Sequence, residues 1–357
     1  MVRWRRLSSV AGLATGVAAA SAGAVIAVEK AAVGRIRLRP DPAGTEPFGQ
    51  LRGRPVTVIA EDGVGLHTEV CGPEDSPVTI VFCHGYTLSQ DVWHYQRQAL
   101  QADYRLVFWD QRSHGRSGRS DPARISIGQL GRDLAAVLAA TTRAGAPVVL
   151  VGHSMGGMAI MALADQHPEL FGSKVIGVTL ISTTALVDPT GWLPGPLRPV
   201  GRWAAPALLR GSSRGRRAEL TERIRDAAGD LAFLSTRFIA FGDPDVSPAV
   251  VEFLERTIRA TPIDVVADFY LALTKHDERG SLATIGRVPT VVLTGLEDRL
   301  VATAQAADLA AGIPGASLVE IPAAGHMVIL ERPGIVTEEI SGLVALALGE
   351  SATRRPA

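Results

Sequence analysis

The fold is decided by the stretch Val148-Val149-Leu150-Val151-Gly152-His153-Ser154-Met155-Gly156-Gly157. Its apolar, β-branched first half predicts a buried strand, and the good helix formers of residues 158–165 predict a helix directly afterwards. The join reads Gly-x-Ser-x-Gly, which between a strand and a helix is typical of a nucleophile elbow. Side chains at Gly152 and Gly156 would collide with the neighbouring strand and helix, so glycine is expected at both. The stretch therefore predicts a nucleophilic Ser154, with an incidental serine in an ordinary turn as the alternative.

Strand-like and helix-like segments alternate on both sides of this stretch, except from about residue 184 to 284, where helix-like segments replace the strands. This order predicts an α/β fold: a mostly parallel, eight-stranded sheet with helices on both faces and a helical cap insertion. The first two strands, 56–60 and 66–71, should form an antiparallel hairpin. The other predicted strands are residues 77–83, 104–109, 148–151, 174–182, 289–294 and 316–321.

The same patterns divide the chain into six parts. The predicted divisions are an N-terminal hydrophobic anchor or signal segment (1–40), a linker (41–54), the first part of the core (55–183), the helical cap (184–284), the second part of the core (285–349) and a disordered tail (350–357).

Residues 8–28 are uncharged and follow an arginine-rich N-terminus. Their length suffices to span a bilayer, so they predict a membrane-anchored protein with a single N-terminal span. Ala20-Ser21-Ala22 offers a small-residue cleavage site, and cleavage of a signal peptide there would give a secreted protein. A soluble, alanine-rich helix packed on the domain is the third interpretation.

Charge and cysteine content exclude several classes of function. Lys+Arg and Asp+Glu number 36 each, so the net charge is zero and no nucleic-acid partner is expected. Cys71 and Cys83 fit neither a disulfide framework nor a zinc site. Both lie in strand-like runs and are expected to be buried free thiols. No cofactor and no metal are predicted.

A serine nucleophile needs a base, and histidine is the usual one near neutral pH. His326 follows the last predicted strand on a glycine-containing loop, whereas His167 and His276 are expected at the surface. The loop after the preceding strand offers Asp298, with Glu297 in reserve, as the carboxylate that orients the imidazole. The order Ser154, Asp298, His326 is the one expected for an elbow of this kind.

Five pieces in this order resemble the α/β-hydrolase family, in its capped serine-hydrolase group of esterases and haloperoxidases. They are His84-Gly85-Tyr86, Asp110-Gln-Arg-Ser-His-Gly-Arg-Ser117, Gly152-His-Ser-Met-Gly156, Gly295-Leu-Glu-Asp298 and Gly325-His326. The resemblance implies that the backbone N–H groups of Tyr86 and Met155 form the oxyanion hole. It also implies a strand order that separates Cys71 from Cys83. Ser113 stands where the family commonly has glycine.

These features predict a serine hydrolase that cleaves carboxylic esters through an acyl-enzyme intermediate. The expected partner is a small-molecule ester, with a lipid as one possibility and with membrane association through residues 8–28. Two alternatives remain: a cofactor-free perhydrolase or acyltransferase using the same triad, and a ligand-binding or sensor protein that retains the fold. Apolar residues of the cap could line an acyl pocket or form the cap's own core: Trp192, Leu193, Trp203, Leu208, Leu209, Phe233 and Phe238.

Overall fold

The computed structural model describes residues 40–187 and 229–349, together with the isolated positions 34, 219 and 221. Eight strands form one sheet in the order β1-β2-β4-β3-β5-β6-β7-β8. The α/β architecture with an eight-stranded sheet is confirmed. The strands are β1 (Arg54–Ile59), β2 (Gly65–Cys71), β3 (Thr79–Cys83), β4 (Arg105–Trp109), β5 (Val148–His153), β6 (Val175–Ile181), β7 (Thr290–Gly295) and β8 (Ser317–Ile321).

Of the eight strands of this sheet, β2 alone runs opposite to the others. β2 pairs antiparallel with both β1 and β4, and every other pairing is parallel. β3, β4 and β5 are buried along their whole length, as continuous apolar runs in a parallel sheet predict. β4 separates β2 from β3, so Cys71 and Cys83 lie on non-adjacent strands and both are free thiols. Cys83 is buried and Cys71 is partly exposed.

Helices cover both faces of the sheet. Successive residues of a strand point to opposite faces, and in β3 Val81 packs into one hydrophobic core while Ile80 and Phe82 pack into the other. Within the described residues the helices are α1 (His94–Leu100), α2 (Ile127–Thr141), α3 (Met155–Gln166), α4 (Gly229–Ala240), α5 (Pro248–Arg259), α6 (Ile263–Leu273), α7 (Leu282–Ile285), α8 (Thr303–Gly312), α9 (Val328–Glu331) and α10 (Pro333–Ala347). Short 3₁₀ turns lie at Gln90–Trp93, Pro122–Arg124, Pro168–Leu170 and Arg279–Ser281.

The chain between β6 and β7, here called the insertion, contains helices α4 to α7. Its boundaries at residues 184 and 284 stay a prediction. Phe233 is buried among the apolar residues of one core, whereas the side chain of Phe238 is 65% exposed. The remaining apolar residues predicted for a pocket or a cap core lie outside the described residues: Trp192, Leu193, Trp203, Leu208 and Leu209.

The start of the described chain packs on this insertion. The Asp41 carboxylate accepts hydrogen bonds from the Ser247 hydroxyl and, at 2.9 Å, from the Ala249 amide in the first turn of α5. The ring of Phe48 stacks on that of Phe253, with 4.8 Å between centroids. Part of the predicted linker therefore contacts α5 rather than running free of it.

The membrane-anchored localisation predicted from the sequence requires correction. Across residues 40–187 and 229–349, no helix combines the length and the apolar character needed to cross a bilayer. The candidate segment, residues 8–28, lies outside the described residues. The anchor, its alternative of secretion after cleavage, and membrane association are therefore withdrawn as conclusions about this chain.

Candidate active site

Ser154 lies at a sharp turn between β5 and α3 and has φ 53° and ψ −120°. A positive φ is costly for a residue with a Cβ atom and persists only where the surrounding structure imposes it. The surroundings here are backbone atoms. A Cβ atom at Gly152 would lie 2.6 Å from the Gly157 nitrogen, and one at Gly156 would lie 2.1 Å from the Cys83 carbonyl oxygen. Only glycine fits at both positions, as the sequence pattern predicts.

Backbone hydrogen bonds attach the elbow to the neighbouring strand. The Ser154 amide donates to the Ile181 carbonyl at 2.9 Å, and the Thr183 hydroxyl donates to the Ser154 carbonyl at 2.8 Å. Both contacts join the turn to the carboxyl end of β6. The sheet therefore fixes the position of Ser154 at the carboxyl ends of the strands. Ligand sites of parallel sheets lie at this edge.

The loops after β7 and β8 bring together the predicted acid and base. His326 Nδ1 donates to Asp298 Oδ2 at 2.9 Å. The other carboxylate oxygen, Oδ1, accepts from the amides of Leu300 at 2.8 Å and Val301 at 2.9 Å. A carboxylate that accepts the Nδ1 proton leaves Nε2 as the hydrogen-bond acceptor of the imidazole. The exposed Glu297, the reserve candidate, has no such contact with His326 among the described residues.

Asp298 is 8% exposed, and its burial disfavours the charged form. The attraction of His326, the hydrogen bond from that ring and the two backbone amides act in the opposite direction and hold the pKa of Asp298 below its usual value. The carboxylate therefore stays ionised at neutral pH, as orientation of an imidazole requires.

His153, the residue before Ser154, contacts His326. Its Nε2 donates to the His326 carbonyl oxygen at 2.9 Å, and the two ring centroids lie 4.9 Å apart. Burial and the neighbouring His326 lower the pKa of His153 to about 3. The ring is neutral at physiological pH and joins the end of β5 to the loop of His326.

The loop after β3 is positioned by two buried imidazoles. His84 Nδ1 donates to the Gly85 carbonyl at 2.8 Å and its Nε2 accepts from the Gln111 amide at 2.9 Å. His114 Nε2 accepts from the Thr87 amide at 3.2 Å, and its Nδ1 contacts the Arg112 carbonyl at 3.0 Å. Burial lowers the pKa of both rings, that of His114 to about 3. Each neutral ring thus offers one donor and one acceptor.

Between these contacts lies Tyr86, whose backbone amide was expected to serve as an oxyanion donor together with that of Met155. Neither amide donates to a protein acceptor within residues 40–187 and 229–349. The Tyr86 hydroxyl donates to the Val266 carbonyl in α6, so the insertion contacts this loop directly. Free donors near a strained serine are what an oxyanion hole requires.

Ser113 departs from the family pattern at a position that has φ 64°. That region favours glycine. The serine side chain has a compensating contact, because its Oγ accepts a hydrogen bond from the Ser120 amide at 2.9 Å. The turn that carries His114 therefore accommodates serine.

Two residues were missed or misjudged from the sequence. Glu331 accepts backbone hydrogen bonds next to His326, and only its spacing five residues after that histidine could have drawn attention to it. The expectation that His276 lies at the surface was wrong: it is 3% exposed, and its Nε2 contacts the Thr184 carbonyl at 3.0 Å. Among the residues that the structure describes, no group of three or more His, Cys, Asp or Glu side chains could bind a metal ion.

Comparison with known proteins agrees with the fold. The sequence model of the alpha/beta hydrolase family matches residues 80–339. The chain belongs to this family.

Similar proteins cover most of its length. The AB hydrolase superfamily protein YfhM of Bacillus subtilis is 27% identical, over 79% of this chain and 95% of that protein. The 3-oxoadipate enol-lactonase 2 of Acinetobacter baylyi is 28% identical, over 78% of this chain and 91% of the relative. A thermophilic esterase from Thermogutta terrifontis has a similar fold, with a TM-score of 0.65 and 24% identity, over 82% of this chain and 98% of the esterase.

Proposed function

We propose that the chain is a serine hydrolase that cleaves carboxylic esters through an acyl-enzyme intermediate. As a member of the α/β-hydrolase family with an enol-lactonase among its relatives, it is a hydrolase acting on ester bonds. The proposal adds the mechanism and its residues. The observation that carries it is the His326 Nδ1–Asp298 contact of 2.9 Å, in a fold whose elbow presents a serine at φ 53°.

In the first half-reaction, Ser154 Oγ attacks the ester carbonyl carbon while His326 Nε2 takes the hydroxyl proton. The new Oγ–C bond forms a tetrahedral intermediate. The bond to the leaving oxygen then breaks, and His326 returns its proton to that oxygen, which departs as an alcohol. Asp298 remains ionised and stabilises the imidazolium that forms in between.

In the second half-reaction, water attacks the acyl carbon. His326 takes a proton from the water, and the bond to Ser154 Oγ breaks. The acid product leaves, and the proton returns to the serine. The same base thus serves both steps, and the covalent intermediate replaces one difficult displacement by two easier ones.

The backbone amides of Tyr86 and Met155 are the proposed donors to the oxyanion of both intermediates. Their freedom from protein acceptors within the described ranges supports this role. Met155 is also the first residue of α3, so the positive end of the helix dipole adds to the stabilisation of negative charge. Each such donor contributes about 10²–10³ in rate.

Labelling with a fluorophosphonate probe tests the proposal. The wild-type chain should label covalently at Ser154 and hydrolyse p-nitrophenyl acetate, whereas Ser154→Ala should do neither. Ser173→Ala, at an exposed serine outside the proposed site, is the matched control and should behave as wild type. Equal labelling of Ser154→Ala and wild type would refute the proposal, because another residue would then be the reactive nucleophile. A wild-type chain that does not label would refute it as well and would favour the binding-protein alternative.

Esters from acetate to decanoate then test the predicted preference for an apolar acyl part. A rise in kcat/KM with chain length would support that preference, and a fall would contradict it. Addition of an alcohol or hydrogen peroxide during turnover measures acyl transfer and perhydrolysis on the same site.

A further inference from the structure

Glu331, the last residue of α9, accepts three backbone hydrogen bonds from two separate parts of the chain. Its Oε1 accepts from the Gly325 amide at 2.6 Å, one residue before His326. Its Oε2 accepts from the amides of Gly242 and Asp243, each at 2.9 Å, directly after α4. One carboxylate therefore joins the loop of the proposed base to the end of the first described helix of the insertion.

The two backbones are also in direct contact at this point. A Cβ atom at Gly325 would lie 2.6 Å from the Gly242 nitrogen, and one at Gly242 would lie 2.5 Å from the Ala324 carbonyl carbon. Close approach restricts the access of water to these amides, of which that of Gly325 is buried, and the partly buried Glu331 carboxylate satisfies all three. The Met327 amide adds a fourth contact, donating to the Ala240 carbonyl at 2.9 Å.

The loop of the proposed acid reaches the same helix end from the other side. Arg299, next to Asp298, donates to the carbonyls of Phe238 and, at 3.0 Å, Phe241. Its guanidinium lies 4.4 Å from the centroid of the Phe238 ring. A cation at the final carbonyls of a helix is favourable because those groups have no partner within the helix.

We propose that Glu331 is a positioning residue, which sets the geometry of His326 against Asp298 by fixing the loop of His326 to Gly242 and Asp243. Arg299 fixes the loop of Asp298 to the same end of α4. The inference rests on the proposed function, since it assigns Glu331 a role through His326. It predicts that the packing of the insertion and the alignment of the acid–base pair change together. Glu331 contacts neither ring nor carboxylate of that pair within the described residues, so it takes no part in proton transfer.

Glu331→Gln tests this role while preserving side-chain size. The amide group of glutamine presents a donor where the carboxylate has an acceptor, so one or more of the three backbone contacts must break. Loss of alignment at this distance from the chemistry should lower kcat about 10- to 100-fold, with KM within a factor of two. The downfield proton resonance of the His326 Nδ1–H, identified by its loss in Asp298→Asn, should shift or broaden.

Glu338→Gln is the matched control, because Glu338 is exposed on α10 and the substitution is the same. It should retain the wild-type kcat and resonance. Arg299→Gln tests the same helix end independently of whether Glu331→Gln folds, which thermal denaturation reports. It should lower kcat several-fold in the same direction.

The outcomes separate this inference from the function on which it rests. Hydrolysis by Ser154→Ala at the wild-type rate would overturn the proposed function itself. An inactive Ser154→Ala, together with wild-type kcat and resonance in Glu331→Gln, would leave the function standing and overturn the positioning role. A changed KM with unchanged kcat would also overturn it, since that pattern indicates an effect on binding alone. An effect in Arg299→Gln without one in Glu331→Gln would exclude Glu331.

Discussion

The nucleophile side of the site and the acid–base side are built by different kinds of interaction. On the nucleophile side, Ser154 and the loop of Tyr86 are positioned by neutral imidazoles and by close contact of backbone atoms. On the acid–base side, the loops of His326 and Asp298 are positioned mainly by the carboxyl groups of Glu331 and Asp298 and the guanidinium of Arg299, which bind backbone amides and carbonyls. The first kind depends on shape and burial, and the second on charge.

This difference follows from where each side lies in the fold. The elbow lies between buried parallel strands, where an unpaired charge would be costly, so His114 and His153 stay neutral. The loops after β7 and β8 lie next to the insertion, where two backbones meet and leave amides that a carboxylate satisfies well. Substitutions that change charge should therefore act mainly on the acid–base side, and substitutions that change volume should act mainly on the nucleophile side.

The largest expected effect is on the acid–base side. Asp298→Asn keeps the shape of the side chain but removes the charge that orients and stabilises the imidazole, and kcat should fall by about 10⁴-fold. The folded structure should persist, because an amide oxygen can still accept from the amides of Leu300 and Val301. Steady-state hydrolysis of p-nitrophenyl acetate measures the effect.

Glu297→Gln is the control at the neighbouring position, since that side chain is exposed. It should change kcat by less than about twofold, in line with other exposed surface positions. An equal loss in both variants would contradict the assignment of Asp298 and reopen Glu297 as the acid.

A volume change on the nucleophile side should have the next largest effect, on stability. In Gly156→Ala the new methyl group would lie 2.1 Å from the Cys83 carbonyl oxygen. Strand and helix must separate to admit it, and the free energy of unfolding should fall by about 3 kcal/mol. Urea denaturation measures this.

Gly342→Ala is the matched control in α10, where a Cβ atom meets nothing within 4 Å. Alanine there should raise the free energy of unfolding by about 0.5–1 kcal/mol, because it has the higher helix propensity. If both variants lost the same stability, close approach would not be the reason for glycine in the elbow.

More of the nucleophile side than of the acid–base side could be predicted from the sequence, because the contacts of the two sides span different distances along the chain. The elbow was predictable because its constraint is local: Gly152, Ser154 and Gly156 lie within five residues, and each glycine is required by its immediate neighbours. The contacts of Glu331 were not, because they depend on how the insertion meets the loop of His326, and Gly242 lies 89 residues away in the chain.

Histidines show the same limit. His326 could be selected by its place after the last strand, whereas His276 has no pattern that indicates its burial under the Thr184 carbonyl. His84 and His114 were part of motifs, yet their role in orienting the Tyr86 loop depends on strands β3 and β4 lying side by side. The eight-stranded sheet, by contrast, follows from alternation of strands and helices on both sides of the insertion.

The smallest expected effect is a pH dependence of stability that comes from the nucleophile side. Burial lowers the pKa of His114 to about 3, below the value of about 6.5 expected in the unfolded chain. Between these two values the unfolded state binds a proton that the folded state does not, so stability falls as the pH falls below about 6.5. From pH 8 to pH 5 this residue should account for a loss of about 2 kcal/mol.

Glu278, whose pKa burial raises to about 7, acts in the opposite direction over part of this range, so the informative quantity is the difference in pH dependence between the wild-type chain and a His114 variant. His114→Gln can still donate and accept at the two contacts of the ring but cannot bind a proton, and it should lose about 2 kcal/mol less than wild type between these pH values in urea denaturation. Asp298 contributes nothing to this interval, because its lowered pKa matters only below the usual aspartate range. A His114→Gln chain with the full wild-type pH dependence would mean that His114 binds its proton equally in the folded and the unfolded chain, and burial would then not be what keeps the nucleophile side free of charge.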